Sequence, residues 1–294
     1  MARMSWREAC QLDPTLQSLT HFFTSTPEYA QTLTGGLTNR CWKITLSAEL
    51  AFVWRPNTLL TKGFSISRFQ EYQILKAIEN SRLGPKAITI NDQGLLVEWI
   101  AGNVLTEEGA WEHILKVLAQ VHQLESARIP APPFNYTARV DHYWLQLKSE
   151  LKTPSFEQLY LKWRTLPHCE SLPLTLCHFD LAGYNLIKTE TGYRIIDWEY
   201  ASMADPRLDL AISIDVAGEK LLDAVFRYCQ LRNIQQVDRW VEGVKAWQPK
   251  VKMMAMLWYL VAYQLWGDEE YYQQAVHFKD QLLAESSSPD NRGK

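Results

Sequence analysis

Four polar side chains that could bind a metal or handle a proton stand out in one short stretch, CHFDLAGYNLIKTETGYRIIDWEY (177–200): His178, Asp180, Asn185 and Asp197. A short strand, LTLCH (174–178), delivers His178 and Asp180 to a loop, where Gly183 permits a tight path. Asn185 opens a second strand, NLIK (185–188). A turn at ETG then returns the chain through YRIID (193–197). A hairpin of this length brings Asn185 near Asp197, with Asp180 on the loop beside them. Two carboxylates and an amide make an oxygen-rich, partly hydrated set that suits Mg²⁺, an ion that keeps waters and takes one or two protein carboxylates alongside phosphate. Taken singly, each is an ordinary turn or cap residue. The spacing is what points to chemistry.

Those strands need a frame. After a helical and then loop-like start, CWKITL (41–46) and AFVWR (51–55) read as a hairpin that Pro56 closes, since proline offers no backbone donor. From 65 to 79, Ile66, Phe69, Ile74, Leu75 and Ile78 recur at helical spacing. AITI (87–90) and LLVEWI (95–100) form a second hairpin around the turn NDQG. Thr106 caps a helix with Ile114, Leu115, Leu118 and Val121 on one side; Asp141 caps the next, and Ser155 with Gln158 forms a capping box for a third. The chain after Pro206 reads as helical to about Leu283. The expected fold class is α+β in two lobes: a β-rich N-lobe over 1–100, a mostly helical C-lobe over 101–285 carrying the catalytic and metal loops, and a disordered polar tail over 286–294.

Composition excludes several function classes. The 294 residues are 47% hydrophobic, and 30 Lys plus Arg stand against 33 Asp plus Glu, for a net charge of −3. There is no basic excess for nucleic acid or an anionic membrane surface. Five scattered cysteines give no disulfide framework and fit a reducing cytoplasm. The N-terminus lacks a signal-peptide core. The most lipid-like run, MMAMLWYLVAYQLW (253–266), is shorter than the ~20 residues a spanning helix needs. Cys177-His178 and His168-Cys169 raise the idea of zinc, but their spacing matches no common zinc pattern.

Set against the protein-kinase signature H-R-D-L-x-x-x-N followed by D-F-G, this chain has His178-Phe179-Asp180-Leu181-x-x-x-Asn185 and Asp197-Trp198-Glu199. Phe replaces Arg and Glu replaces Gly. With these departures the chain resembles the aminoglycoside phosphotransferase and choline kinase superfamily, which has a protein-kinase-like fold and phosphorylates small alcohols. DPRLDLA (205–211) and LAQVHQL (118–124) are similar to further family segments.

The resemblance implies roles. Asp180 would accept or orient the acceptor's proton, and Asn185 and Asp197 would hold Mg²⁺. Arg55 would hold nucleotide phosphates, with Glu71 pairing to it; a guanidinium donates parallel bonds to phosphate or carboxylate. Gly35 and Gly36 in LTGGLTNR (33–40) would let backbone N–H groups approach phosphate, although the same pair suits a plain hairpin turn. Glu98 and Ile100 in VEWIAG (97–102) would bond adenine through their backbone. His178 would stabilise the loop and Asp209 anchor it. ATP is the implied nucleotide, with GTP left open.

The acceptor is less constrained. Trp258, Tyr259, Tyr263, Trp266, Tyr271 and Tyr272 crowd one stretch, and Tyr143 and Trp144 add rings. Ring faces attract cationic nitrogen, and Glu199, Asp268, Glu269 and Glu270 lend negative potential. Trp258, Tyr259 and Tyr263 at helical spacing suit a plain core equally. Trp247, Trp258-Tyr259, Trp266-Gly267-Asp268 and the FVWRP strand resemble bacterial thiamine kinases, while IDWEYA followed by DPRLDLA resembles bacterial choline kinases equally. That implies a cationic alcohol, thiamine favoured, with choline or ethanolamine next and aminoglycosides or amino sugars behind. A nucleotide-binding pseudokinase would lack Asp180, Asn185 or Asp197, and all three are present.

Overall fold

In the computed structural model, residues 3–33, 41–106 and 110–287 are described. They divide into two compact units: Met1–Lys62, Ile66–Pro132 and Asp180–Ala201 form the first, and Gly63–Ser65, Pro133–Phe179 and Ser202–Lys294 the second.

The first unit opens with α1 (Trp6–Leu12), started by a capping box in which Ser5 and Glu8 bond reciprocally. Five antiparallel strands follow: β1 (Tyr29–Thr32), β2 (Trp42–Thr45), β3 (Ala51–Pro56), β4 (Ala87–Asn91) and β5 (Gly94–Glu98), in the order β1-β2-β3-β5-β4. Strand alternation puts Trp42, Ile44 and Trp54 fully inside, against Leu16, Ala30 and Leu96. The buried indoles keep acceptors, Trp42 donating to Asp13 at 2.8 Å and Trp54 to Thr15 at 2.9 Å. Pro56 ends β3, as its missing donor requires.

Between these strands lie α2 (Leu59–Gly63) and α3 (Arg68–Ala77), the latter capped by Ser67. Ile66, Ile74, Leu75 and Ile78 are buried as expected, but Phe69 is 60% exposed. Arg68 and Glu71 occupy the inward face instead. The helix buries a charged pair three residues apart, which an apolar period does not reveal.

The stretch after β5 does not leave this unit. β6 (Asn103–Val104) pairs with β8 (Leu186–Thr189), which pairs in turn with β9 (Gly192–Ile195). A boundary at residue 100 therefore falls inside the first unit, which also holds α4 (Ala110–Val121) and takes back 180–201. Two glycines make the three-stranded sheet possible. A Cβ on Gly102, at φ +153°, would sit 2.3 Å from the Lys188 carbonyl oxygen, and one on Gly183 would sit 2.5 Å from that of Leu105.

The second unit is mostly helical: α5 (Tyr136–Gln146), α6 (Pro154–Trp163), α7 (Pro206–Ala217), α8 (Leu221–Leu231), α9 (Val237–Trp266) and α10 (Glu269–Ser287). β7 (Thr175–Cys177) pairs with β10 (Ser202–Ala204), a three-residue strand too short to show a period in sequence. Asn135, not Asp141, caps α5. Asp141 lies within the helix and accepts from Tyr160 at 2.7 Å and from Arg164 at 2.6 Å. α6 starts on Thr153 and Pro154, with proline's fixed φ at its first position, rather than on a Ser155–Gln158 box. α10 continues through Ser287, so the expected tail begins later than 286; residues 288–294 lie outside the described residues. Among the described residues, no helix is long and apolar enough to cross a membrane.

Gly192→Ala, at φ +135° with no atom near its added carbon, should cost only the strain of positive φ, about 1–2 kcal/mol. Gly102→Ala adds a collision with backbone and should lose roughly 3 kcal/mol or more in urea unfolding. Equal losses would contradict this packing.

Candidate active site

The loop leading to the catalytic candidate is clamped from α7. The Asp209 carboxylate, fully buried, accepts from the backbone N–H of His178 at 2.7 Å and of Phe179 at 2.8 Å. Phe179 has φ +66°, a region that bulky residues avoid at a cost of about 1–3 kcal/mol. The two charge-assisted bonds hold it there. His178 is itself completely buried.

Asp180 follows, with both oxygens engaged. Tyr184 donates its hydroxyl to Oδ1 at 2.6 Å, and Asn185 Nδ2 donates to Oδ2 and to the Asp180 carbonyl, each at 2.9 Å. With the amide nitrogen committed to Asp180, the planar Asn185 side chain presents its oxygen on the opposite edge. The Ile196 N–H donates to the Asn185 carbonyl at 2.9 Å, and Leu186 pairs with Ile195, so Asn185 and Asp197 stand at the same end of the β8–β9 hairpin. Asp197 has φ +64°, which aspartate tolerates better than most residues.

Arg55 on β3 joins this hairpin to α3. Its Nη2 donates to Asp197 Oδ1 and, at 2.9 Å, to Glu199 Oε2, while Nε lies 3.0 Å from Glu71 Oε1. Arg68 lies beside it, with Nη1 2.6 Å from Glu71 Oε2 and 3.0 Å from Glu199 Oε2. Two guanidiniums and three carboxylates thus form one interlocked group. Burial works against the Arg55 charge, but Asp197 and Glu71 more than reverse it and hold the group above the ordinary arginine range. Burial pushes Glu199 upward, Asp197 adds to that, and Arg68 and Arg55 oppose it. Asp180 is raised to about 7: burial is the main cause, the Tyr184 hydrogen bond opposes it, and the Asp197 and Glu199 carboxylates push further up.

The donor set fits Mg²⁺: one amide oxygen and one carboxylate, both hard ligands, leave most of an octahedral shell for water and phosphate. Burial, and then Asp209, pushes the Cys177 thiol upward.

The remaining expected residues are distributed as follows. The Glu98 side chain is held by both Arg194 terminal nitrogens at 3.1 and 3.0 Å and accepts from the Lys86 N–H at 2.9 Å; Ile100 is buried. Gly35 and Gly36 lie outside the described residues. Glu199, expected beside an acceptor, is 7% exposed and held by two arginines. In the second unit, Phe64 lies against Trp258 at 4.9 Å, Trp266 at 5.5 Å and Tyr143 at 6.5 Å between ring centroids. Trp266 also meets Tyr271 at 5.2 Å. Phe64 and Tyr143 are buried, whereas Trp258, Trp266 and Tyr271 keep part of their surface open. Trp144 is buried and stacked on Tyr160 at 4.7 Å. The sequence reading missed Arg68, Tyr184 and Phe64. Only Arg68 left a trace, the R-x-x-E spacing with Glu71.

Residues 30–279 match the phosphotransferase enzyme family. The chain is 24% identical over 205 residues to a thiamine kinase of Escherichia coli O9:H4, covering 68% of this chain and 72% of that one. Its fold is similar to that of Plasmodium vivax ethanolamine kinase (TM-score 0.71, 17% identity, 97% of this chain and 90% of the other). It is similar also to choline kinase LicA of Streptococcus pneumoniae (TM-score 0.67, 17% identity, 90% and 97%), a protein whose structure has also been solved with AMP. The β-rich N-terminal part and helical C-terminal part are therefore a protein-kinase-like fold.

An acid raised in the folded state stabilises below its unfolded value and loses that contribution as pH climbs through the folded value. Asp180→Asn should therefore match the wild type in thermal stability near pH ~4. Its advantage should grow with pH and level off above about 7, measured without added metal. An advantage that shrank with pH would mean Asp180 is not raised.

Proposed function

The chain belongs to the phosphotransferase enzyme family, and we propose that it transfers the γ-phosphoryl group of a nucleoside triphosphate, ATP by preference, to the hydroxyl of a cationic alcohol, with thiamine favoured. The observation that carries this reading is the Asp180–Asn185 pair set on one hairpin with Asp197, which Arg55 reaches from β3.

Phosphoryl transfer asks for an aligned hydroxyl and for neutralised phosphate oxygens. Asp180, poised near 7 and fixed through both oxygens, orients the acceptor hydroxyl and takes its proton. Asn185 Oδ1 and Asp197 would hold Mg²⁺, which would supply positive charge to neutralise the phosphate oxygens. Arg55, kept in place by Glu71 and Glu199, donates to phosphate. Asp209 keeps the preceding peptides of the loop from shifting. Glu199 serves the phosphate side in this scheme, through Arg55 and Arg68. The AMP complex of the choline kinase relative supports a nucleotide.

For the acceptor, the partly open faces of Trp258, Trp266 and Tyr271 suit a flat or quaternary cation. After burial itself, Asp268 and Glu270 help raise the Tyr271 phenol, so negative charge lies close to this aromatic group. The likeness to thiamine kinase over most of that chain favours thiamine. Choline or ethanolamine is the second reading, favoured by the fold neighbours. Five free thiols agree with a reducing compartment.

With Mg²⁺ and ATP, thiamine should be phosphorylated with a kcat/KM at least about tenfold above those of choline and ethanolamine, one decade being about 1.4 kcal/mol of transition-state preference. Inert thiamine with turnover of choline would hand the case to the second reading. Asp180→Asn should lower kcat by about 10²–10⁴, and the wild-type kcat/KM should rise to a plateau as pH passes about 7. Trp266→Ala should raise the acceptor KM roughly fivefold, the equivalent of about 1 kcal/mol of cation–π attraction, with kcat far less changed.

A further inference from the structure

The three carboxylates around Arg55 are not equivalent. The side chains of Glu71 and Glu199 are 2% and 3% exposed, whereas that of Asp197 is 23% exposed. Glu71 and Glu199 are also gripped from the other side by Arg68. Asp197 is thus the partner of Arg55 that solvent reaches, and the carboxylate assigned above to the metal. The group needed for phosphate and the group needed for metal are paired with each other.

We infer that the Arg55–Asp197 ion pair is a resting closure that a divalent cation and the nucleotide's phosphates open together. The cation replaces Arg55 at Asp197, and phosphate replaces Asp197 at Arg55. This rests on the nucleotide-dependent reading above.

The physical reason is charge. Two guanidiniums face three carboxylates, so the group already carries an excess of one negative charge. A metal-free nucleotide that takes Arg55 brings more negative charge beside an Asp197 just deprived of its partner. A cation arriving alone must detach Asp197 from a guanidinium and then stand next to it. Either ligand alone leaves a like-charge contact in a partly desolvated place, where such contacts are poorly screened. Arriving together, they exchange one ion pair for two, while Glu71 and Glu199 keep Arg55 in position. Metal and nucleotide should therefore bind with strong positive coupling, and by linkage the coupling is reciprocal.

The test is binding by calorimetry, using a non-hydrolysable β,γ-imido analogue of ATP, in EDTA and with Mg²⁺, and Mg²⁺ alone. Folding of each variant is checked by circular dichroism. Wild type should gain about tenfold or more in analogue affinity on adding Mg²⁺. Asp197→Asn, although it removes a metal ligand, should bind the metal-free analogue about fivefold or more tighter than wild type and lose most of the Mg²⁺ enhancement. Asp197→Ala should show the same tightening, which separates release of Arg55 from a new amide hydrogen bond. If the wild type binds the Mg²⁺ complex while both folded variants bind the metal-free analogue no better than wild type, the closure is wrong and the nucleotide reading stands. If no folded form binds the analogue with or without Mg²⁺, the nucleotide reading fails and takes this inference with it.

Discussion

Burying an arginine costs several kcal/mol unless its charge is answered, and the described residues of the first unit include two buried ones, Arg55 and Arg68, at 8% and 2% exposure. Their partners come from distant parts of the chain. β3 supplies Arg55, α3 supplies Arg68 and Glu71, and the segment after β9 supplies Asp197 and Glu199, up to 144 residues away. Removing one partner of such a group typically costs about 3–5 kcal/mol, whereas replacing the whole group with apolar residues is often neutral. A buried ion network is thus poor evidence of stabilisation. What it does supply is position: Glu71 and Glu199 cannot drift, because each answers both guanidiniums.

How much of this was legible in sequence follows from how local each relation is. Asp180, Asn185 and Asp197 belong to one loop and hairpin, so their expected convergence follows from strand length and turn position; Asn185 bonds Asp180, and the strand register sets it at the hairpin end that Asp197 follows. Arg55 and Glu71 are 16 positions apart on different elements, and only the family resemblance linked them. Arg68 escaped because periodicity was counted on apolar residues, the same habit that turned Phe69 inward when it faces out. The caps at Asp141 and Ser155 failed for a related reason. Several residues near each helix start can cap, and Asn135 and Pro154 lie closer to the true first turns. Gly35 and Gly36 lie outside the described residues.

The aromatic group of the second unit shows a different limit. Sequence offered a choice between pocket and core for Trp258, Tyr259 and Tyr263, and the structure leaves all three partly exposed. Tyr259 meets Trp258 at 5.2 Å and Tyr271 at 6.3 Å and also stacks on Phe278 at 5.9 Å. Trp258 and Trp266 converge on Phe64, which no spacing could have nominated because it lies some two hundred residues earlier. A buried ring backing two partly open ones fixes their planes. Rings held in this way lose little freedom when a flat cation settles on them.

The choice of arginine at position 55 follows from the number of partners. A lysine ammonium is a compact point charge whose donors share one atom, and three carboxylates drawn onto it would crowd one another. The guanidinium spreads its charge over a plane: Nε faces Glu71 on one edge while Nη2 serves Asp197 and Glu199 on another. That geometry lets one partner depart while two remain, which a single ammonium cannot arrange as selectively. The partner that solvent reaches most is Asp197, which follows β9 and stands at the same hairpin end as Asn185. The sheet register and the fork of one side chain together leave Asp197 the most solvent-exposed of the three carboxylates.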